Sequence, residues 1–345
     1  MYVGYVAGAI LFANNHSGYE ITSGTINAQE NTAAELSLTL PPTNTAKGLI
    51  VPAASVISIE RDDFEIFRGT VTNYTIDKIG NMVCTATDML ACLGNVLKAP
   101  FTVSNKNITE YVTAILGNYN DAVEVDKKIE LGNVTVTGSV SLNHHSDYAS
   151  IFDLFKELVS EKGGLISLRY ENGNVYLDYL AENSNTTKQT IAFGKNLVDI
   201  NSQIDTSTLL SRVYPLGKNG LNISSVNSGK TYLVNNKVEA TYGRIEKPFV
   251  AADIESASTL KSLAQAYLTR YAALQNTIEL TAIDLSILDK THNSFAVGDS
   301  VRVISPPHGI DAYMPVTAIT IDLLQPGNSR ITLGSKQKTL TNSIK

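Results

Sequence analysis

The chain of 345 residues is long enough for two or three domains, each burying its own core. Its 27 Lys and Arg against 33 Asp and Glu give a formal charge of -6, which leaves no general basic footprint for nucleic acid. No apolar run is long enough to span a bilayer, and Cys84 and Cys92 are too sparse for a disulfide scaffold, so both are expected reduced and structural, in keeping with synthesis and assembly in a cytoplasm. Residues 1–100 carry 5 basic and 9 acidic groups, 101–195 carry 8 and 12, and the remaining 150 carry 14 and 12, so the acid excess lies before residue 196.

Residues 1–100 are strand-rich. MYVGYVAGAILFANN lacks a basic leader and reads as a first strand. Residues 19–29 alternate loosely, and 34–40 place apolar and polar side chains on opposite faces until Pro41 and Pro42, which lack the amide hydrogens a ladder needs. Residues 56–60, 65–69 and 71–77 are predicted as consecutive short strands, with turns at Asp62-Asp63 and 78–81. Such strands close into a small barrel or sandwich without exposed edges. DMLACLGNVL, residues 88–97, is predicted as a short helix cut by Gly94, with a domain boundary near Pro100.

The period then changes. Asn107 and Glu110 have capping-box spacing, and Ile108, Val112, Ile115 and Leu116 form the apolar stripe of a helix that Gly117 is expected to end. After a β-like stretch at 134–142, Asp147 is expected to cap a second helix whose apolar face uses Ile151, Leu154, Phe155 and Leu158, stopped by Gly163-Gly164. Residues 165–170 and 175–180 alternate around Glu171-Asn172-Gly173-Asn174, a hairpin signal. The polar linker 181–189, AENSNTTKQ, is expected to face water.

Residues 191–194 begin a return to β-structure, and 207–217, STLLSRVYPLG, read as a strand re-entering it after an insertion. Residues 219–236, rich in Gly, Ser and Asn, suggest loops or an extended hairpin. In ASTLKSLAQAYLTRYAALQN, Leu260, Leu263, Ala264, Tyr267, Leu268, Tyr271 and Leu274 recur at helical spacing. Residues 278–285, 300–304, 313–323 and 330–333 are again strands, and FAVGDSVRV at 295–303 sets a Gly-Asp turn before one of them. The predicted organisation is a multidomain, β-rich α+β protein: a first β-barrel-like domain at 1–100, an α+β domain at 101–195, a second, split β-barrel-like domain at 196–250 and 276–340, and an inserted helix at 251–275 packing with the middle region.

Little in the chain points to catalysis. His144-His145-x-Asp147 is the densest cluster of metal or acid-base groups, but adjacent histidines need an unusual geometry to meet one ion, so a polar loop before a helix is the favoured reading. His292 and His308 flank Asp299 without a nucleophile elbow or a Cys-His spacing. Glu60-Arg61-Asp62-Asp63 lacks the loop spacing that wraps calcium. No Walker A loop, dinucleotide fingerprint or paired-cysteine metal motif occurs, and no catalytic, cofactor-binding or metal-binding residue is assigned. The 16 tyrosines suit protein interfaces, while the absence of tryptophan removes a common sugar-stacking platform.

The order of elements, with FRGTVTNY at 67–74, LLSRVYPLGK at 209–218, the long helix and FAVGDSVRV, resembles the baseplate hub proteins of contractile and long-tailed phages. Within that group it is similar to the Gram-positive prophage tail proteins called tail endopeptidase or tail-associated lysin. The resemblance implies a homotrimer in which two barrel-like domains per subunit alternate around a channel, so that three copies present six similar units to a sixfold tail ring. It implies a place at the virion tail tip or baseplate. The partners implied are the distal tail protein ring, the tape-measure protein and a tip spike or fibre, with transient passage of DNA. In related long proteins cell-wall hydrolysis resides in additional C-terminal modules, whereas here SKQKTLTNSIK follows the last predicted strand, so the hub portion without a lytic extension is expected. A tail-associated peptidoglycan hydrolase and a host cell-wall adsorption module are the alternative readings.

Overall fold

Positive-φ turns set the register of the first strands. β1 (Tyr2–Val6) and β2 (Ala9–Ala13) are joined through Ala7 and Gly8 at φ 50° and 77°, the left-handed pair of a two-residue hairpin, so the stretch expected as one strand is two. β3 (Ser23–Gln29) turns at Asn31, also at positive φ, into β4 (Thr32–Leu40), which stops at Pro41. β5 (Val56–Arg61) turns through Asp62 and Asp63 into β6 (Phe64–Ile76). The two strands expected over 65–77 are therefore one, and the break between them is a bulge between Val71 and Asn73 against β7 (Met82–Asp88). Asp88 caps the single turn α1 (Met89–Cys92). The structure, a computed structural model, describes every residue except 14, 104–105, 141–142, 146, 182–188, 206–208, 272–274, 288–293 and 335–345, and not the side chains of 143–145, 202–205, 270, 275–277 and 287.

Gly69 sits where β5, β6 and β7 meet, and a Cβ there would lie 2.3 Å from the Thr87 carbonyl oxygen. The obstruction is the backbone of an interior strand, which cannot swing aside. Gly69→Ala should therefore cost about 1–3 kcal/mol in urea unfolding. An unchanged midpoint would show that β7 yields at this position.

The short strands β8 (Leu97–Lys98), β9 (Phe101–Val103) and β10 (Lys106–Asn107) lead into α2 (Ile108–Ala122). The capping box forms as expected: Asn107 Oδ1 accepts the Glu110 N–H at 2.8 Å and Glu110 Oε2 accepts the Asn107 N–H at 3.3 Å. Gly117 does not end the helix. Beyond it Tyr119 is fully buried with its hydroxyl donating to the Lys127 carbonyl, and the Asn120 amide clasps the backbone of Ile129, so tertiary anchoring outweighs a glycine cost of about 1 kcal/mol.

β11 (Glu130–Val134), β12 (Ser139–Val140), β13 (Asn143–His145) and β14 (Ala149–Ser150) precede α3 (Ile151–Lys162). Its cap is Ser150, whose Oγ accepts the Asp153 N–H at 3.0 Å, not Asp147. Gly163, at φ 73°, ends it. β15 (Leu165–Glu171) and β16 (Asn174–Leu180) form the expected hairpin on Asn172 and Gly173, and β11 pairs with β16 in parallel. Ile151, Leu154, Phe155 and Leu158 of α3 pack with Val112, Ile115 and Tyr119 of α2 in one core. Linker residues 182–188 lie outside the described residues, and Gln189, expected to face water, is buried and hydrogen-bonded to Asp284.

The chain passes through β17 (Ile191–Ala192) and β18 (Leu197–Asp205) into a second compact unit, Asn201–Glu279, while Met1–Ile200 and, among the described residues, 280–334 form the first. Within the second unit β19 (Arg212–Leu216), β20 (Leu233–Val234) and β21 (Glu246–Val250) make a small sheet in the order β20–β19–β21. The stretch 207–217, expected to re-enter the main β-structure, instead supplies the middle strand of this sheet, and β18 is the strand that joins the large one. α4 (Asn236–Tyr242), capped by Asn235, was not expected. α5 (Ala257–Tyr271) is the long helix read from the sequence, and its Leu260, Ala264 and Leu268 pack against Leu210, Val213 and Phe249. Leu263, at the margin of that stripe, is 42% exposed.

β22 (Gln275–Ala282), β23 (Ser300–Ser305), β24 (Ile310–Asp322) and β25 (Arg330–Gly334) return the chain. Among the described residues the large sheet has thirteen strands, ordered β18–β22–β25–β24–β3–β4–β7–β6–β5–β1–β2, with β23 pairing β24 and β17 pairing β23. β24 is 13 residues long and pairs β23 through its first half, then β25 and β3 through its second. The fold is thus a multidomain α+β structure with one large curled sheet and several helices. Where two β-barrel-like domains were expected, one is clearly resolved, because the length of β24 lets the last strands continue the sheet of the first hundred residues.

Candidate functional site

Among the described residues, those singled out in the sequence do not converge. Asn143–His145 is a strand, with His144 opposite Thr102 and His145 opposite Phe101 on β9, and the side chains of both histidines lie outside the described residues. His292 is outside them too. His308 stands at a turn after β23, its Nδ1 2.7 Å from Oγ of the fully buried Ser305 and its ring edge-on to Phe193. Asp299 closes the Gly298 turn, its Oδ2 accepting the Ala296 N–H at 2.7 Å, and burial raises its pKa. In the Glu60–Asp63 run, Asp62 Oδ1 pairs with the N-terminal ammonium at 2.6 Å and Arg61 donates to the Ser286 carbonyl at 2.9 Å. Among the described residues no group of three or more His, Cys, Asp or Glu is placed to hold a metal ion, and no helix is long and apolar enough to cross a membrane. Cys84 and Cys92 are free and buried.

A cavity of about 580 Å³ lies in the first unit, between strands of the large sheet and the β15–β16 hairpin, and no sequence motif announced it. Its polar walls include Asp88, Asp178, Asp284, Arg61 and Arg169. Asp178 Oδ1 accepts the Asn133 N–H at 2.6 Å and Oδ2 accepts Arg169 Nε–H at 3.0 Å, while the guanidinium lies 4.7 Å from the Tyr176 ring centroid. Asp284 accepts from the Ser286 and Phe295 amides and from Gln189 Nε2. Arg68 forks onto Glu65 at 2.7 and 2.6 Å and reaches the Gly173 carbonyl at 2.8 Å, tying β6 to the hairpin turn.

Asp88 is the most perturbed of these groups. Its Oδ1 accepts the Leu90 N–H at 3.0 Å, and burial pushes its carboxyl up to about 7 against the pull of the Ala34, Leu90 and Ala91 amides. Burial likewise raises the Tyr170 hydroxyl well above its ordinary value. Each of these carboxylates holds backbone amides or a guanidinium of the chain itself, so the network fastens sheet to hairpin and loop. The Asn31 side chain adds a further clasp, donating to the Gly164 carbonyl at 3.2 Å and accepting the Ile166 N–H at 2.7 Å.

The fold is that of phage tail proteins. The chain is similar to the 43 kDa tail protein of prophage MuSo2 from Shewanella oneidensis, with 14% identity and a TM-score of 0.65 over 97% of this chain and 98% of that one. It is similar to the tail protein from Neisseria meningitidis MC58, with 13% identity and a TM-score of 0.66 over 97% of each. It is also similar to an E. coli type VI secretion component described as resembling the T4 tail proteins gp27 and gp5, with 8% identity and a TM-score of 0.54 over 96% of this chain and 75% of that one. Comparison with the curated proteins gave no match. The chain shares the fold of these tail proteins along nearly its whole length. Residues 185–344, a little under half of the chain, match the family described as prophage endopeptidase tail.

Proposed function

We propose that the protein is a structural baseplate hub at the distal end of a phage or prophage-derived tail, and that three copies close a ring that adapts a sixfold tail to a threefold tip and surrounds the channel. The observation that carries this reading is the composition of the large sheet. Within it strands β1–β7 and strands β17, β18 and β22–β25 meet edge to edge at the β3–β24 ladder, so each copy supplies two β-rich halves and three copies supply six. In this reading 1–100 and the split segment 196–250 with 276–340 are the two barrel-like parts, 101–195 is the α+β body between them, and 251–275 carries the inserted helix.

Many weak contacts repeated around a closed ring give a stable assembly without any reaction, and the cavity carboxylates serve that rigidity rather than acid-base chemistry. The ring mates with the distal tail protein ring on one side and a spike or fibre on the other. The tape-measure protein and then DNA pass along its axis, and a net charge of -6 does not favour retention of DNA. The protein acts at the tail tip after synthesis and assembly in the host bacterial cytoplasm. Solution mass and a low-resolution image of the purified protein test the reading: three copies around an open axis are expected, and a stable monomer even in contact with purified tail partners would sink it.

A further inference from the structure

The β6–β7 hairpin projects past its neighbour. β5 pairs with β6 only as far as Thr70, Val71 still exchanges hydrogen bonds with Ser55 and Ala53, and residues 72–76 are all exposed. On its other side β6 stays paired, from Asn73 opposite Thr85 to Ile76 opposite Met82, and the Asp77 N–H donates to the Asn81 carbonyl at 3.0 Å. Bonded and non-bonded pairs alternate along an antiparallel ladder. Counting back from the bonded Asp77–Asn81 pair places Thr75 in a bonded pair and turns the N–H and C=O groups of Tyr74 and Ile76 outward.

Folded proteins blunt such edges with cover, proline or lysine. β2, at one end of the sheet, is covered: Asn44 Nδ2 donates to the Leu11 carbonyl at 2.9 Å, and the Ala13 N–H donates to the Tyr19 carbonyl. The outer edge of β6 has the uncharged, strand-favouring sequence Thr-Asn-Tyr-Thr-Ile and no such residue, with Val51 and Ile79 exposed beside it. Among the described residues β18 ends the sheet at its opposite limit, with Val198 50% exposed.

Outward main-chain donors and acceptors select another strand, and two unlike edges on one copy suit head-to-tail closure into a ring, whereas β6 pairing with itself would give only a pair of copies. We propose that residues 72–76 of one copy pair with β18 of the next, so that the large sheet runs from copy to copy. The inference rests on the ring reading.

Tyr74→Pro removes an N–H that the lone chain's ladder does not use, and Ile76→Lys places an ammonium on the same edge. In sedimentation of the full chain we expect three copies for the wild type and one for each variant, with unchanged circular dichroism. Amide exchange should be slow at Tyr74, Ile76 and alternate positions of 197–200 in the wild type, and fast at all of them in Ile76→Lys, which decides the matter if Tyr74→Pro misfolds. Variants that keep the wild-type mass, or a trimer whose β6 or β18 amides exchange freely, overturn the pairing and leave the ring reading standing. A wild type that stays a single copy beside purified tail partners overturns both.

Discussion

Folding stability should fall as pH rises from 4 to 8, and replacing Asp88 by Asn should remove the Asp88 share of that fall, leaving the part contributed by the buried Asp299 carboxyl, whose pKa is also raised. The Asp88 carboxyl titrates near 3.8 in the unfolded chain and at about 7 in the folded one. A raised folded pKa favours the folded state fully below the unfolded value, and the advantage is lost as pH rises through the folded value. About three pKa units correspond to an upper figure of about 4 kcal/mol. Asn keeps an acceptor for the Leu90 amide, since it is a good helix cap, but carries no proton to lose in this window. The exposed ion pair of Arg302 with Asp311 acts with the opposite sign, because the hydrogen bond from Arg302 lowers the Asp311 pKa, and its effect belongs below pH 4. Urea unfolding of both proteins at several pH values checks the expectation, and parallel profiles would refute it.

A loss of about 3–5 kcal/mol is expected for Phe155→Ala. The ring is fully buried on α3 against the α2 face, in the core that also holds Leu177 and Tyr179 of the β15–β16 hairpin, so truncation opens a cavity bounded by helices and strands that are each fixed elsewhere. Val125→Ala, at an 84% exposed position, should stay within about 0.5 kcal/mol and serves as the comparison. Chemical denaturation with a common slope checks both, and a Phe155→Ala loss below about 1 kcal/mol would mean that the helices collapse onto the hole.

What could be read in advance was local. The Asn107 capping box, the Asn172-Gly173 turn and the α5 stripe each draw their energy from residues within a few positions, and each formed where the sequence placed it. Gly117 misled because the anchoring of Tyr119 and Asn120 comes from segments up to nine residues on. Asp147 and Ser150 are both good caps three residues apart, and the choice between them is made by where Ile151 enters the core. The strand 212–216 was recognisable as a strand, but its sheet was not, since strand partners are selected by long-range pairing. The polar network fared worst: Asp178 meets the Asn133 amide 45 positions away, and no spacing rule reaches that far.

The Asn31 clasp has a mechanical side. Its two hydrogen bonds pin the tip of the β3–β4 hairpin to Gly164 and Ile166 at the start of β15, with Arg68 making a second rivet at the β15–β16 turn. Two fasteners at separate points resist twisting as well as separation. A pull delivered to the α+β body would therefore be carried into β3 and on to β24 as torque, without a slack joint between them.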